Sequence, residues 1–151
     1  MNLQDWTNIA QIAATTISAF ALFYAGWQVT LSTRVHRAQF WLELRKMFHE
    51  HKDVHTKLRD GGEWSHHGTG PSTPSEWASI EAYMGLFEHC ERMMEEGLLD
   101  IRTFKSIYEY RIHNIINNDA IYTAKIINES PYWRDFIALM KRCNISHAAL
   151  G

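Results

Sequence analysis

The N-terminal part of the chain carries no charged residue from Trp6 to Thr33. A helix needs about 20 mostly apolar residues to cross a bilayer, at about 1.5 Å per residue. On such a helix Trp6 and Trp27 lie roughly 30 Å apart, which matches the hydrocarbon thickness and favours both rings at the membrane interfaces. The pattern predicts one transmembrane helix. A buried helix of a soluble protein is the alternative.

Basic residues define the predicted orientation of this helix. Arg34 and Arg37 follow the uncharged stretch, whereas only the terminal amine precedes it. Cytoplasmic flanks carry the excess of arginine and lysine, and a secretory signal peptide would begin with positive charge instead. We therefore expect a single-pass protein of the bacterial inner membrane, with its N-terminus outside and its C-terminal domain in the cytoplasm. The predicted membrane-interface residues are Trp6, Trp27, Arg34 and Arg37.

Small and polar residues recur at helical spacing within the uncharged stretch. In lipid, small residues let helix backbones approach closely, and a buried amide needs a hydrogen-bonding partner. A single helix has no second span to supply that partner, so the pattern predicts self-association, with the stripe facing other subunits or a water-filled centre. Alternatively, the hydroxyls bond to their own helix and the amide lies near the headgroups. The stripe consists of Thr7, Gln11, Ala14, Thr15 and Ser18.

The rest of the chain has the pattern of helices interrupted by one long loop. Apolar residues continue at helical spacing to about Leu58 and predict a helical stalk over residues 34–59. Glycines and a proline mark residues 60–73 as the loop. The fold class is thus all-α, with an N-terminal transmembrane helix over residues 1–33, the stalk, and a small cytoplasmic helical bundle over residues 74–151. The strands of a nucleotide-binding sheet are not predicted.

Capping residues define the expected helix ends in the bundle. Thr73 and Glu76 form a capping box around a proline at the first helical position. Gly97 ends this helix, and Asp100 caps the next one. The Ser-Pro pair at residues 130–131 is expected to open the last helix.

Composition excludes several classes of function. The formal net charge of −2 gives no basic surface across the domain, so direct nucleic-acid binding is not expected. Cys90 and Cys143 lack the spacing of a disulfide framework or a thiolate metal site. His51 and His55 share one helical face, but no carboxylate completes a ligand set. We predict neither a metal nor another cofactor.

An Arg-x(4–6)-His pattern occurs three times, and in HEPN ribonucleases such residues from paired subunits act on an RNA phosphate. Arg142 and His147, at the end of the last predicted helix, are the best placed for two copies to meet. They are the alternative catalytic pair; otherwise Arg142 stabilises a helix C-terminus. Glu88 and Arg111 are expected to form a structural ion pair between helices. The three matches are Arg45/His51, Arg59/His66 and Arg142/His147.

The uncharged stretch ends in arginines and is followed by YMGLFEHCERMMEEGLLD at residues 83–100. This organisation resembles a broad set of bacterial proteins, among them small single-span membrane proteins of antiviral operons. One such family is the membrane accessory protein of type VI-B CRISPR systems, which has a HEPN-like domain. The resemblance implies a homo-oligomer that permeabilises or depolarises the membrane when an RNA-guided nuclease senses phage.

Three hypotheses for function follow. The first is a non-enzymatic homo-oligomer that forms a pore or perturbs the membrane in CRISPR-linked antiphage defence. Its expected partners are the lipid bilayer, further copies of the chain and an RNA-guided nuclease system. The second is a membrane-tethered HEPN-type ribonuclease that uses Arg142 and His147. The third is a passive membrane scaffold that recruits a cytoplasmic partner.

Overall fold

The chain forms two compact units, Met1–Glu43 and Leu44–Gly151. The structure is a computed structural model, and in the first unit it describes Tyr24, Trp27, Gln28 and residues 38–43, all of which are helical. In the second unit it describes residues 44–65 and 68–146. The candidate functional site belongs to the second unit.

The described part of the second unit is helical and contains no strand, so the predicted all-α character is confirmed. Most of its helices are short, and α3 is the longest with 22 residues. In chain order the elements are α1 (44–50), α2 (Lys52–Leu58), α3 (Pro74–Glu95), α4 (Ile101–Ile116), α5 (Asp119–Ile121), a π-helix (Tyr122–Asn128) and α6 (Arg134–Cys143).

The predicted transmembrane helix and inner-membrane localisation need correction. Among the residues that the structure describes, no helix is long and apolar enough to cross a membrane. The longest of them, α3, carries Glu81, Glu88, Glu91 and Arg92, and a central charge costs about 2.5–3.5 kcal/mol to insert. The fold class is corrected to all-α over the described residues, none of whose helices is long and apolar enough to cross a membrane. The single-pass localisation is corrected with it.

The residues predicted to lie at membrane interfaces or in the oligomer stripe fall mostly outside the described residues. Trp27 is described, and its side chain is exposed. It belongs to the first unit. The others, for which the structure gives no placement, are Trp6, Thr7, Gln11, Ala14, Thr15, Ser18, Arg34 and Arg37.

Much of the predicted stalk contributes to the core of the second unit. Leu44 and Phe48 of α1 are buried, as are Val54 and Leu58 of α2. The Phe48 ring stacks on Tyr108 of α4 with 4.3 Å between ring centroids. The helical spacing of these apolar residues is therefore explained by packing against α3 and α4, rather than by a solvated stalk.

Phe87 lies at the centre of an aromatic core. Its ring is 5.0 Å from Phe48, 5.3 Å from Tyr83, 6.3 Å from Phe104 and 6.0 Å from Phe136, measured between centroids. Three of these four contacts are edge-to-face, the arrangement that the ring quadrupole favours. Four helices are thus held to one another through a single side chain of α3.

The predicted starts of α3 and α4 are confirmed. The Thr73 hydroxyl accepts from Glu76 N at 3.3 Å, and the Glu76 carboxylate accepts from Thr73 N at 3.2 Å. Asp100 accepts from Thr103 N at 2.8 Å. After α3, Gly97 adopts φ +71°, a left-handed conformation that costs glycine little.

The predicted start of the last helix is wrong by several residues. The Ser-Pro pair at 130–131 lies in a turn, closed by a bond from Trp133 N to Ser130 O, and α6 begins at Arg134. Trp133 provides no side-chain cap. Instead, Glu88 of α3 accepts from Phe136 N at 3.4 Å. The cap comes from a distant part of the chain, which local sequence signals cannot reveal.

The π-helix was not predicted. It places Lys125 in the interior, where its ammonium group lies 2.5 Å from Glu81 and 2.9 Å from Glu129. A π-helix takes more residues per turn than an α-helix. Within this π-helix Ile126 is buried, whereas Ile127 is exposed.

Candidate functional site

A group of polar side chains lies where α2, α3 and α4 approach one another. It comprises His55 from α2, Tyr83 from α3, and Tyr110 and Arg111 from α4, and we call it the Arg111 cluster. Arg111 and His55 are half-buried, Tyr83 is fully buried, and the Tyr110 side chain is 49 % exposed. The cluster is therefore accessible from the Tyr110 side.

The Arg111 guanidinium is fixed in position by aromatic residues. Its Nε donates to the Tyr110 hydroxyl at 3.1 Å, and its Nη1 donates to the Tyr83 hydroxyl at 3.4 Å. Its Cζ lies 5.3 Å from the Phe48 ring centroid and 5.4 Å from that of Tyr108. Contacts of a cation with ring faces are worth about 0.5–2 kcal/mol each. The guanidinium is thus held rigidly by neutral groups.

No carboxylate lies within ion-pair distance of Arg111 among the described residues. Burial acts to lower the pKa of Arg111, but Tyr83 and Tyr110 outweigh it and raise the pKa above its ordinary value. By contrast, Arg92 pairs with Asp135 and Arg142 pairs with Glu91. Arg111 is a half-buried cation whose charge is not balanced by any described acid.

His55 adds an imidazole next to this cation. Its Nε2 lies 3.4 Å from the Tyr110 hydroxyl, and its buried Nδ1 has no partner among the described residues. Burial, followed by the charges of Arg111 and Arg59, lowers the pKa of His55 below its ordinary value. The neutral form of the His55 imidazole is therefore favoured at pH 7.

Tyr83 keeps its proton under all physiological conditions. Burial raises the pKa of its hydroxyl to about 12, against the opposing effect of Arg111. The hydroxyl accepts from Arg111 and does not itself carry negative charge. It orients the guanidinium without neutralising it.

The sequence did not indicate this cluster. Arg111 was expected to pair with Glu88, but the two do not pair, because the Glu88 carboxylate accepts from Phe136 N instead. His51 and His55 were noted for their shared helical face. The His51 ring lies 5.8 Å from the Tyr83 ring, whereas the His55 ring faces Tyr110. Tyr110, which directly precedes Arg111 in the sequence, was a local indication of the cluster. Only the fold brings His55 of α2 and Tyr83 of α3 next to these two residues.

Arg142, the arginine of the predicted catalytic pair, has a different environment. It forms a bidentate ion pair with Glu91, with distances of 2.6 to 2.9 Å. The Glu91 side chain is 2 % exposed. The predicted partner His147 lies outside the described residues. The catalytic pair stays a prediction, with its arginine engaged by a buried acid.

A shallow groove of about 380 Å³ lies between α1 and α2 on one side and the start of α3 on the other. Acidic and small side chains line it. Among the described residues no group of three or more His, Cys, Asp or Glu is arranged to hold a metal ion. The groove lining is Glu50, His51, Asp53, Val54, Ser75, Ala78, Ser79 and Ala82.

Comparison of the chain with protein-family models, with curated proteins and with solved structures gave no match in any of the three.

Proposed function

We propose that the second unit binds a phosphate group, with Arg111 as its anchor. The observation that carries this proposal is the half-buried guanidinium held by two tyrosine hydroxyls with no carboxylate in reach among the described residues. A guanidinium has five N–H donors in a planar fork that matches phosphate oxygens. In this cluster the Tyr83 and Tyr110 hydroxyls accept from only two of these five donors.

Local charge supports an anionic ligand. The positive charges of Arg111 and Arg59 lie close enough to His55 to lower its pKa. A preformed cationic site of this kind strengthens the binding of an anion more than a flexible surface lysine does. The chain as a whole has a formal net charge of −2. A ligand with one phosphate in the cluster therefore fits better than a long polyanion that must contact a wide surface.

The resemblance noted above bears on the source of the phosphate. A HEPN-like domain implies an RNA phosphate, and a small phosphorylated molecule is the other source. A part in antiphage defence and a ribonuclease that uses Arg142 and His147 remain separate proposals. Phosphate binding at Arg111 requires neither of them.

Replacement of Arg111 tests the proposal. Inorganic phosphate is titrated into the full chain at low ionic strength, and binding is followed by NMR. A charge-assisted hydrogen bond contributes about 1.5–3 kcal/mol, so Arg111→Gln should weaken phosphate binding roughly 10- to 100-fold. Arg111→Lys keeps the positive charge but loses the planar fork of donors. Its affinity for phosphate should therefore lie between that of the unmodified chain and that of Arg111→Gln.

Arg102→Gln is the matched control. It removes the same charge from an exposed position on α4, about two and a half turns before Arg111 and on the opposite face. Phosphate binding should be unchanged in this variant. Equal loss in both variants, or no saturable binding to the unmodified chain, would contradict the proposal. A short single-stranded RNA as a second titrant separates the sources, since RNA that binds much more tightly than phosphate identifies RNA as the ligand.

A further inference from the structure

The Tyr110 hydroxyl oxygen lies between the two nitrogen-bearing side chains of the Arg111 cluster. Arg111 Nε donates to it at 3.1 Å, and His55 Nε2 lies 3.4 Å from it. Because the oxygen accepts from the guanidinium, its own proton is directed at the imidazole. We assign Nε2 as the acceptor and place the proton of the neutral ring on Nδ1.

Protonation of His55 would disrupt this arrangement. Nε2 would become a donor, so the Tyr110 oxygen would have to accept from two cations at once, Arg111 and the imidazolium. The charges around the ring also oppose protonation, since Arg111 of α4 and Arg59 after α2 both lower the pKa of His55. Tyr83 supplies no negative charge, because burial raises the pKa of its hydroxyl to about 12. The imidazolium therefore lacks a negatively charged acceptor among the residues that the structure describes.

Other titratable side chains of the same segment do not supply that acceptor. His51, one turn earlier, has its ring 5.8 Å from the Tyr83 ring. Glu50 and Asp53 line the groove toward the start of α3. No carboxylate is among the groups whose charge shifts the pKa of His55.

We infer that protonated His55 joins Arg111 in holding the anion, so that the site takes up a proton from solvent together with its ligand. This inference rests on the proposed phosphate site. The anion supplies a negatively charged acceptor for Nε2, and its charge offsets the repulsion from Arg111 and Arg59. By linkage, the bound anion raises the pKa of His55, and affinity for the anion rises as the pH falls.

Sulfate is the suitable probe, because its charge does not change between about pH 5 and pH 8, whereas that of phosphate does. The full chain is titrated with sulfate at both ends of this range, in two buffers with different ionisation enthalpies. We expect binding to be at least about tenfold tighter at the lower pH. The difference in heat between buffers should report uptake of up to about one proton per sulfate at intermediate pH. The His55 ring resonances should titrate at higher pH when sulfate is present.

Two variants identify the titrating group. His55→Gln should abolish the pH dependence of sulfate binding, whereas His113→Gln, which replaces an exposed histidine near the end of α4, should retain it. Circular dichroism at each pH establishes that both variants are folded. A pH dependence that persists in His55→Gln overturns the inference. Sulfate binding without pH dependence overturns it too but leaves the phosphate site standing, whereas absence of sulfate binding at any pH overturns both.

Discussion

Three arginines of the second unit show how the partner of a side chain decides what it can do. Arg92 is an exposed cation paired with Asp135, Arg142 covers a buried Glu91, and Arg111 has only neutral partners among the described residues. The first two have their charge balanced within the protein. Only Arg111 combines a fixed orientation with an unbalanced charge, and this difference makes it the candidate ligand-binding residue.

At the residue scale, Arg142→Ala should destabilise the protein. It would leave the Glu91 carboxylate buried without a cation, which typically costs about 3–5 kcal/mol. Because the Arg142 side chain is itself 40 % exposed, we expect about 2–3 kcal/mol here. Urea unfolding at pH 7 measures the change.

A second variant tests the cause of that loss. Glu91→Gln combined with Arg142→Ala replaces the buried charge by a neutral amide, and it should be more stable than Arg142→Ala alone. Arg92→Ala, at an exposed ion pair, should change the urea midpoint little. If Arg142→Ala behaves like Arg92→Ala, the buried pair does not contribute as described. These data also show whether any loss of RNA cleavage in an Arg142 variant reflects unfolding.

At the scale of elements, the sequence predicted what is local and missed what is not. The Thr73 and Asp100 caps lie within three residues of the amides they bind, and both were predicted. The start of α6 depends on Glu88, far away in the sequence, and it was not predicted. The Arg111 cluster was not predicted from the sequence for the same reason. Its four side chains come from three helices, and the presence of Glu88 and Arg111 near apolar helix faces suggested a pairing that the packing does not make.

The Glu76 carboxylate in the first turn of α3 should make stability depend on pH. Hydrogen bonds from Lys57 first, and then from Ser72, lower the pKa of Glu76 to about 2. A carboxyl group whose pKa is lower in the folded state than in the unfolded chain stabilises folding above its unfolded pKa. That contribution should disappear as the pH falls from about 4.5 to about 2. Urea midpoints measured across this range should fall less steeply in Glu76→Gln than in the unmodified chain.

Glu96→Gln is the control for this prediction. It replaces an exposed carboxylate at the opposite end of α3. The urea midpoints of Glu96→Gln should follow those of the unmodified chain, with the same decrease as the pH falls. Identical profiles for Glu76→Gln and the unmodified chain would show that the Glu76 carboxylate is not the source of the acid sensitivity.

At the scale of the whole molecule, the boundary between the two units differs from the one that the charge pattern suggested. A helical stalk was predicted over residues 34–59, and the second compact unit begins within that range, at Leu44. From there Leu44, Phe48, Val54 and Leu58 are buried. Helical spacing of apolar residues reveals that one face is covered, but not what covers it. In the second unit the covering surface is the aromatic core around Phe87.

Two fragments test whether α1 and α2 are part of this folding unit. Residues 38–151 contain every buried side chain of the described core, and should give a helical circular dichroism spectrum and one cooperative urea transition. Residues 59–151 lack Leu44, Phe48, Val54 and Leu58 and also His55. Their loss exposes one side of Phe87 and Tyr108, so this fragment should unfold without a cooperative transition. If the shorter fragment unfolds as cooperatively as the longer one, α1 and α2 are dispensable and the Arg111 cluster joins two separately folding parts.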